Sequence, residues 1–473
     1  MKFTSIKGGS KMKKLLVLTM VAVMIMVSGC SKNGNTEQKS DDSKASNKIV
    51  FLAEVPAVPE EEQAWKDVAA SFKDETGIEV ELRFQGTWSE IPQALQTAKL
   101  AGDQIDLVRV GIGAIRSTLG SAKMVMDMTD LMADLSDRFP EGILNSCYIG
   151  GKLWAFPYAD GSATTCLYNK TLFAELGIKP PTTFDEWLII SKTISEKKDI
   201  IPMIFQGKDG WAWPMMYFDT YAQASGNKAV ENVEAFLKGE YEFTGAEEQK
   251  AFDLIKQIAD NKIMTSETFD TDEEGMIATF SQQKAAMMFC GTWDYDSVVN
   301  AADFEVGAFE FPLMVEGSTV QHGFGVGDGA ISIPSFANQD NLENSMRFVE
   351  YILRPENAKK ILLTLKPKFE VVKGAAGERD EVTQFLNDVI AKHSVTYLDW
   401  IWPTQINDAF SQTIPAVASG NMTSAEAVQY VQDTYKTLLE EQDYSYDWWT
   451  TWSDKDWEMV TPKAIPEVKK FVK

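Results

Sequence analysis

The residue types that usually carry metal or nucleotide chemistry are sparse in this chain. It has two histidines, His322 and His393, and it contains neither an H-E-x-x-H motif nor a C-x-x-C motif. A zinc site is therefore not expected. Residues 323–329 have the glycine content of a nucleotide-binding loop, but residues 330–333 continue as a strand rather than a helix, which breaks the dinucleotide fingerprint. We expect no cofactor and no bound metal.

Carboxylates are the abundant reactive groups. Residues 270–275 begin like a calcium loop, but the twelfth position is Ser281, where a bidentate glutamate is required. Two carboxylates could also act together in a hydrolase. Because no such pair stands at a motif, a secreted hydrolase is kept only as an alternative.

The first thirty residues predict where the protein works. Five lysines precede an uncharged apolar run at 15–27, which is shorter than the roughly 20 residues of a membrane span and typical of a signal peptide. The run ends in Ser-Gly-Cys, with the cysteine at position 30, and resembles the lipobox of bacterial lipoproteins. The resemblance implies that residues 1–29 are removed and that Cys30 is lipidated. An ordinary secretory peptide is the alternative, and both Met1 and Met12 are open as the start.

Residues 30–48 predict a flexible tether, because they are nearly all small or polar and cannot offset the entropy of ordering. About 425 residues follow the tether, more than one core usually covers, so two lobes are expected. Three cysteines remain beyond Cys30, namely Cys147, Cys166 and Cys290. Buried free thiols are favoured, and a Cys147–Cys166 bridge stays open.

The charge balance excludes one class of partner. The chain carries 45 basic and 69 acidic residues, a net charge of −24. Loss of residues 1–29 would take away five lysines and no acids, which leaves −29. Such a surface repels phosphate backbones, so nucleic acid is not expected as a partner.

Alternating strand and helix patterns open the folded part. Apolar runs and period-two alternation predict strands at 49–53, 78–84 and 105–110, and helical periodicity predicts helices at 60–74 and 90–101. This βαβαβ order predicts a parallel α/β sheet, whose ligands lie beyond the carboxyl ends of its strands. The candidate ligand contacts at those ends are Glu54, Trp88 and Arg109.

Three later segments carry motifs of a known family. Residues 151–187 contain G-K-L-W-A-F-P, then Y-N-K, then P-P-T-T-F-D-E-W, and residues 280–293 read F-S-Q-Q-K-A-A-M-M-F-C-G-T-W. Residues 323–334 and 343–353 follow as a return strand and a helix. Together these segments resemble the extracellular solute-binding proteins of bacterial ABC importers, a group that includes sugar binders. Gln283 departs from the family, which usually has glycine there.

The resemblance implies an α/β, two-lobed, periplasmic-binding-protein-like fold. Each lobe would be a mostly parallel sheet flanked by helices, with the ligand cleft between the lobes. Residues 49–158 and 308–333 would form the N-terminal lobe, and residues 159–307 and 334–473 the C-terminal lobe. The connections between the lobes are expected near 158–163, 305–311 and 333–335.

The resemblance also indicates which residues would face the cleft. Aromatic rings cover the C–H face of a sugar, while carboxylates bind its hydroxyls. In the family the tryptophan that closes the G-x-W motif stacks on a sugar, and here it is Trp293, followed by Asp294. The other candidates are Asp106, Tyr158, Asp160, Trp211, Trp213, Phe324, Trp400 and Trp402. We expect at least one of Trp211 and Trp213 in the cleft, and the Trp-rich segment 444–457 packed against the C-terminal lobe.

These observations favour a lipid-anchored extracellular protein that captures a mono- or oligosaccharide and delivers it to an ABC transporter permease without doing chemistry. It would be a monomer on the outer face of the cell membrane, held there through its lipid alone. The alternatives are a carbohydrate-active hydrolase, or a receptor or adhesin lipoprotein of the same fold without an importer. The motifs do not specify which sugar is bound.

Overall fold

The computed structural model of the protein describes most of the chain after the predicted tether. The described residues are 47–56, 58–140, 143–229, 232, 235–236, 239–325, 329–365, 368–441 and 447–465. Cys30 and residues 1–46 lie outside the described residues, so the signal peptide, the lipidation site and most of the tether stay predictions.

The predicted βαβαβ pattern forms the first sheet. Its strands are β1 (Lys48–Ala53), β2 (Glu79–Phe84), β3 (Leu107–Val110), β6 (Phe156–Pro157) and β12 (Ala330–Ser332). Their order is β2-β1-β3-β12-β6. The first three strands are parallel, whereas β12 runs antiparallel to β3 and β6. Two short strands, β4 (Tyr148–Ile149) and β5 (Lys152–Leu153), pair as a separate hairpin.

The second sheet is mixed rather than mostly parallel. Its strands are β7 (Ser162–Asn169), β8 (Ile201–Ile204), β9 (Ala285–Gly291), β10 (Val306–Phe309), β11 (His322–Gly325) and β13 (Ser394–Thr396). The order is β13-β11-β7-β9-β8, and β10 also pairs with β7. The long strand β7 runs antiparallel to β9, β10 and β11, while β8 is parallel to β9. The two-lobed α/β architecture is confirmed, but β7 makes this sheet largely antiparallel.

Helices cover both sheets. They are α1 (Pro59–Thr76), α2 (Ile91–Ala101), α3 (Ile112–Ala114), α4 (Lys170–Leu176), α5 (Phe184–Lys198), α6 (Trp213–Ala224), α7 (Ala246–Asp260), α8 (Glu273–Ser281), α9 (Tyr295–Ala301), α10 (Leu342–Ile352), α11 (Pro355–Leu362), α12 (Glu381–Asp388), α13 (Thr404–Ala418), α14 (Ser424–Glu441) and α15 (Asp454–Val460). Helix α1 buries Trp65, Val68 and Phe72 on one face and ends at Gly77, whose φ of 74° gives the left-handed turn that stops a helix. Among the described residues, no helix is long and apolar enough to span a membrane.

The lobe boundaries differ from the expected ones. β10 and β11 belong to the second sheet, although residues 308–333 were expected in the N-terminal lobe. Residues 334–375 were expected in the C-terminal lobe, yet α10 packs on the first core, where Phe348 and Tyr351 contact Phe72 at ring-centroid distances of 5.1 and 5.3 Å. The apolar stripe of α10 therefore completes the core under α1. We call this core together with the first sheet the first lobe. The second sheet with the core around it is the second lobe.

The Trp-rich segment also packs on the first lobe, so the prediction that it packs against the C-terminal lobe is wrong. The rings of Trp448, Trp452 and Trp457 lie 5.3, 6.0 and 6.3 Å from that of Trp154. The indole N–H of Trp448 donates to the carbonyl of Arg116 at 3.1 Å. This segment thus returns the chain to the first core after α14.

The connections between the lobes follow from the strand pairing. The first runs through 158–161, from β6 in the first sheet to β7 in the second, within the expected range of 158–163. The connections expected at 305–311 and 333–335 are wrong, because β10 stays in the second sheet and Pro334 bridges to Val125 in the first lobe. The second connection instead lies between the end of β11 at Gly325 and the start of β12 at Ala330, and the segment 368–380 also links the two cores.

Two local features bear on the sequence expectations. Cys147, Cys166 and Cys290 are all free and buried, so the open Cys147–Cys166 bridge does not form. Gln283, which replaces the family's glycine, has a φ of 61° in the turn before β9. That left-handed conformation costs little for glycine and about 1–2 kcal/mol for other residues, which explains the usual glycine.

Candidate ligand-binding site

The strand register places the carboxyl ends of the parallel strands at the edges where the chain crosses between lobes. In the second sheet, Gly291 at the end of β9 pairs with Thr164, just after the first connection enters β7. In the first sheet, Val110 at the end of β3 pairs with Ala330, just after the second connection. The segments that follow β1, β2, β3, β8 and β9 therefore border the space between the lobes, where ligands of such sheets bind.

Two tryptophans form the aromatic surface of this edge in the second lobe. Trp211 lies in a 3-10 turn after β8 and is 50% exposed, and Trp293 lies in a 3-10 turn after β9 and is 38% exposed. Their ring centroids are 6.2 Å apart and their planes are tilted by 38°. They meet because β8 and β9 are parallel neighbours whose ends adjoin. We call them the tryptophan pair.

The ring of Trp293 is held from two sides. Its Nε1 donates to Oε1 of Glu273 at 2.9 Å. The ring also lies directly over Gly291, where a Cβ atom would come within 2.2 Å of it. Glycine at this position therefore lets the ring lie flat against the strand end.

Asp294 supports this arrangement from beneath rather than facing a ligand. Only 2% of it is exposed, and its carboxyl group is hydrogen-bonded to Glu273. Burial raises the pKa of Asp294 to about 9, and the neighbouring Glu273 carboxylate adds to the increase. Asp294 is therefore protonated at neutral pH and can donate to Glu273.

The first lobe contributes an ion cluster and an exposed ring. Arg109 is 6% exposed, with Nη1 at 2.7 Å from Oε1 of Glu61 and Nε at 3.3 Å from Oε1 of Glu54. Its charge is thus neutralised inside the lobe, while the Glu54 side chain keeps 18% exposure. Trp88, in the turn after β2, is 59% exposed and remains a candidate ligand contact.

Asp106 and Tyr158 were predicted as ligand contacts, but the structure buries both in the first lobe. Asp106 lies at the amino end of β3, away from the connections, and its Oδ2 accepts from the backbone of Val50 at 2.8 Å and from Gln104 at 2.7 Å. The hydroxyl of Tyr158 donates to the carbonyl of Ile352 at 2.8 Å. Both residues therefore make hydrogen bonds within the first lobe instead of facing a ligand.

Trp213 and Trp402 are likewise core residues of the second lobe. The Nε1 of Trp213 donates to the carbonyl of Gly207 at 2.8 Å, and the residue has no exposed surface. Trp402 stacks on Phe410 with a centroid distance of 4.3 Å. Of the two tryptophans at 211 and 213, Trp211 is thus the exposed one. The side chain of Trp400 lies outside the described residues.

Asp160 and Phe324 lie at the connections. Asp160 accepts backbone hydrogen bonds from Lys368 and Phe369, and its pKa is raised to about 7, chiefly by burial. Phe324 is half-buried, with its ring 5.1 Å from that of Phe369. Both side chains therefore hold connecting segments together, and Phe324 keeps a partly exposed face.

Sequence reasoning missed Glu273, which was considered only within a failed calcium loop. The local pattern could have placed it at a helix start, because Asp272 caps α8 by accepting from the backbone of Gly275 at 3.1 Å. Among the described residues, no group of three or more His, Cys, Asp or Glu side chains is placed to hold a metal ion.

The two histidines were also left without a role, and the structure brings them to one carboxylate. Glu310 Oε1 lies 2.7 Å from Nδ1 of His393 and 3.7 Å from Nε2 of His322. Nδ1 of the fully buried His322 lies 3.6 Å from Asp219. This network lies around the start of β11 in the second lobe, and not at the tryptophan pair.

Comparisons with known proteins agree with this architecture. Residues 67–384 match the family described as bacterial extracellular solute-binding protein. The chain is 24% identical over 365 residues to the melibiose/raffinose/stachyose-binding protein MelE of Bacillus subtilis strain 168, which covers 74% of this chain and 79% of that protein. It is also 24% identical over 211 residues to the multiple sugar-binding protein of Streptococcus mutans serotype c, covering 44% and 49% of the two chains.

Solved structures show the same fold. A chitin oligosaccharide binding protein has a TM-score of 0.68 at 20% identity, over 83% of this chain and 98% of that one. RafE in complex with raffinose has a TM-score of 0.61 at 20% identity, over 83% and 99%. With its two-lobed α/β architecture and a family match over residues 67–384, this chain belongs to the bacterial extracellular solute-binding proteins.

Proposed function

We propose that this protein captures a carbohydrate between its lobes and delivers it to the permease of an ABC transporter. The tryptophan pair carries the proposal, because two half-exposed indole faces at a strand edge suit the C–H faces of sugar rings. Trp211 and Trp293 together offer more aromatic surface than one ring needs, which favours an oligosaccharide. The names of the relatives, which bind melibiose, raffinose, stachyose or chitin oligosaccharides, support the same class.

The contacts of the first lobe would complete the site. The exposed Trp88 and the partly exposed Glu54 would border the same cleft from the first lobe. Closure of the lobes would bring aromatic and carboxylate groups onto opposite sides of one ligand. A ligand drives closure only through its higher affinity for the closed form.

The anchor and the location belong to the proposal as well. Lipidated Cys30 would hold the chain on the outer face of the cell membrane, and a coil of the tether's length has an end-to-end distance of roughly 23 Å. This keeps the cleft close to the transporter at a high effective concentration. A single acyl chain binds a membrane only marginally, so a second chain on Cys30 is expected.

A binding role fits the carboxylates better than hydrolysis does. A glycosidase needs two carboxyl groups about 5 Å or more apart on either side of the scissile bond. Glu273 and Asp294 are instead hydrogen-bonded to each other, and Asp294 is buried. The paired carboxylates at this edge therefore support the aromatic surface.

Calorimetry and thermal unfolding test the proposal. Melibiose, raffinose, stachyose and chitin oligosaccharides are titrated into the purified chain, with amino acids and short peptides as other solute classes. A sugar present at a hundred times its Kd should stabilise the fold by about 2.7 kcal/mol. Stabilisation by another class and by no sugar would contradict the assignment, and release of monosaccharide would show an enzyme.

A further inference from the structure

Glu273 touches both residues that shape the aromatic edge of the second lobe. Its Oε1 accepts from Nε1 of Trp293 at 2.9 Å, and its carboxyl group is hydrogen-bonded to Asp294. We propose that Glu273 is a positioning residue, whose carboxylate accepts from the indole N–H of Trp293 and thereby holds its ring in the plane that a ligand meets. The ligand in this inference rests on the proposed function, whereas the contacts of Glu273 do not depend on it.

The position of Glu273 is itself well fixed. It is the first residue of α8, and its backbone N–H donates to Oδ2 of Asp209 at 2.9 Å. Trp293 is confined on its other side by Gly291. With one face against the strand end and its N–H held by Glu273, the indole leaves its opposite face free beside Trp211. A preorganised aromatic surface avoids the cost of ordering rings when a ligand binds.

The neighbouring Asp294 makes this support sensitive to pH. Asp294 keeps its proton at neutral pH because burial raises its pKa to about 9. Asp294 is then uncharged beside the carboxyl group of Glu273. When Asp294 ionises, two like charges meet in a desolvated place and repel each other. Glu273 should then turn away, and Trp293 should lose its acceptor.

The charged groups around Asp294 have partners of their own. Lys208 and Asp272 form an ion pair of 2.8 Å, which raises the pKa of Lys208, and Asp209 accepts from the Glu273 backbone. Asp296, on α9, pairs with Lys368 at 2.8 Å. Burial raises the pKa of the Cys290 thiol well above its usual range, so the thiol stays neutral.

A ligand-free measurement tests the positioning directly. The tilted tryptophan pair should give an exciton band in near-ultraviolet circular dichroism, assigned by its loss in Trp293→Phe. Glu273→Ala should abolish the band, whereas Glu273→Gln keeps an acceptor for the indole and should retain it. Glu274→Ala is the matched control, because Glu274 is the exposed neighbour on α8. An unchanged band in Glu273→Ala overturns the proposal.

The pH profile separates positioning from a general structural role. In the wild type the band should fall between pH 8 and 10, while the far-ultraviolet spectrum stays constant. Asp294→Asn cannot ionise but still donates to Glu273, so its band should not change over this range. A flat wild-type profile, or the same fall in Asp294→Asn, would show that the protonation of Asp294 does not affect the position of Trp293.

Affinity supplies the second readout, with raffinose as the probe. At pH 7, Glu273→Ala should bind raffinose about tenfold more weakly, as expected for the loss of one positioning hydrogen bond, and Glu273→Gln should stay within about threefold. Equal affinities of wild type and Glu273→Ala for raffinose would refute the positioning role. If the wild type binds no sugar, the proposed function fails, and the circular dichroism band still decides the role of Glu273.

Discussion

The carboxylate of Asp160 holds the backbone of Lys368, 208 positions later in the chain. Asp160 lies in the first connection between the lobes, and its Oδ1 accepts from the N–H of Lys368 at 2.9 Å and from that of Phe369 at 3.1 Å. Nζ of the buried Lys368 lies 2.8 Å from Oδ2 of Asp296 on α9. These contacts join two connecting segments to each other and to the second lobe. They lie in the region where a hinge must bend without breaking either core.

Removal of the hydrogen bonds that Asp160 accepts should destabilise the fold. Asp160→Ala leaves the N–H groups of Lys368 and Phe369 without their acceptor, so we expect the free energy of unfolding to fall by about 1–3 kcal/mol in urea titrations. Asp137→Ala is a suitable control, because Asp137 is exposed in a surface turn. Equal stability of Asp160→Ala and wild type would show that these hydrogen bonds contribute nothing.

The raised pKa of Asp160 also predicts that the free energy of unfolding depends on pH. Burial raises the pKa of folded Asp160 to about 7, above its unfolded value, so the folded state holds the proton more tightly. The stabilisation from this proton is complete below pH 4 and declines as the pH rises through 7, at most by about 1.4 kcal/mol per unit. Asp160→Asn lacks it, so the stability difference from wild type should be larger at pH 5 than at pH 8.

His322 should produce the same kind of pH dependence, but at higher pH. Burial lowers the pKa of His322, but the nearby carboxylates of Asp219 and Glu310 outweigh burial and raise it to about 9. The stabilisation is present below the unfolded value of about 6.5 and is lost as the pH rises through 9. His322→Gln should therefore cost more stability at pH 6 than at pH 10. His393→Gln, at a half-exposed side chain, should cost less stability than His322→Gln.

Trp211 and Trp213, two positions apart, should separate binding from folding. Trp211→Ala removes an exposed ring and should weaken sugar binding at least about tenfold, while it changes the free energy of unfolding by no more than about 0.5 kcal/mol. Trp213→Ala empties a buried site and should cost about 3–5 kcal/mol. Calorimetry and urea unfolding of both variants check this, and equal effects would contradict the placement of the two rings.

Trp448 should anchor the C-terminal segment to the first lobe. It is 3% exposed, its ring lies 5.3 Å from that of Trp154, and its N–H donates to Arg116. Trp448→Ala should lower the free energy of unfolding by about 3–5 kcal/mol. Met459→Ala, at a position 46% exposed on α15, should change it by less than about 0.5 kcal/mol. A neutral Trp448→Ala would argue against this anchor.

Cys30 should control location and not affinity. Cys30→Ala removes the proposed lipidation site, so the protein should appear in the culture medium instead of the membrane fraction, and sugar uptake should fall. The purified variant should bind sugar as the wild type does, because Cys30 precedes the first strand by 17 residues. Membrane retention of Cys30→Ala would contradict the lipid anchor.

Local patterns determined much of the architecture. The first three strands and two helices lie where alternation and helical periodicity predict them, because these patterns reflect which side of each element faces a core. The motifs at 151–187 and 280–293 also indicate the family, since they record turns and strand ends such as the glycine before Trp293. Even the departure at Gln283 identifies a turn that favours a left-handed residue.

Tertiary structure alone decided which tryptophans can meet a ligand. Trp211 and Trp213 are both aromatic residues of one short segment, yet only the packing of β8, β9 and α6 exposes one and buries the other. The same holds for Glu273, whose partner Trp293 is 20 positions away, and for the lobe that receives the Trp-rich segment. Exposure and partnership depend on contacts between distant parts of the chain, and hydrophobic burial is non-directional, so a local pattern does not specify which surface an aromatic side chain will cover.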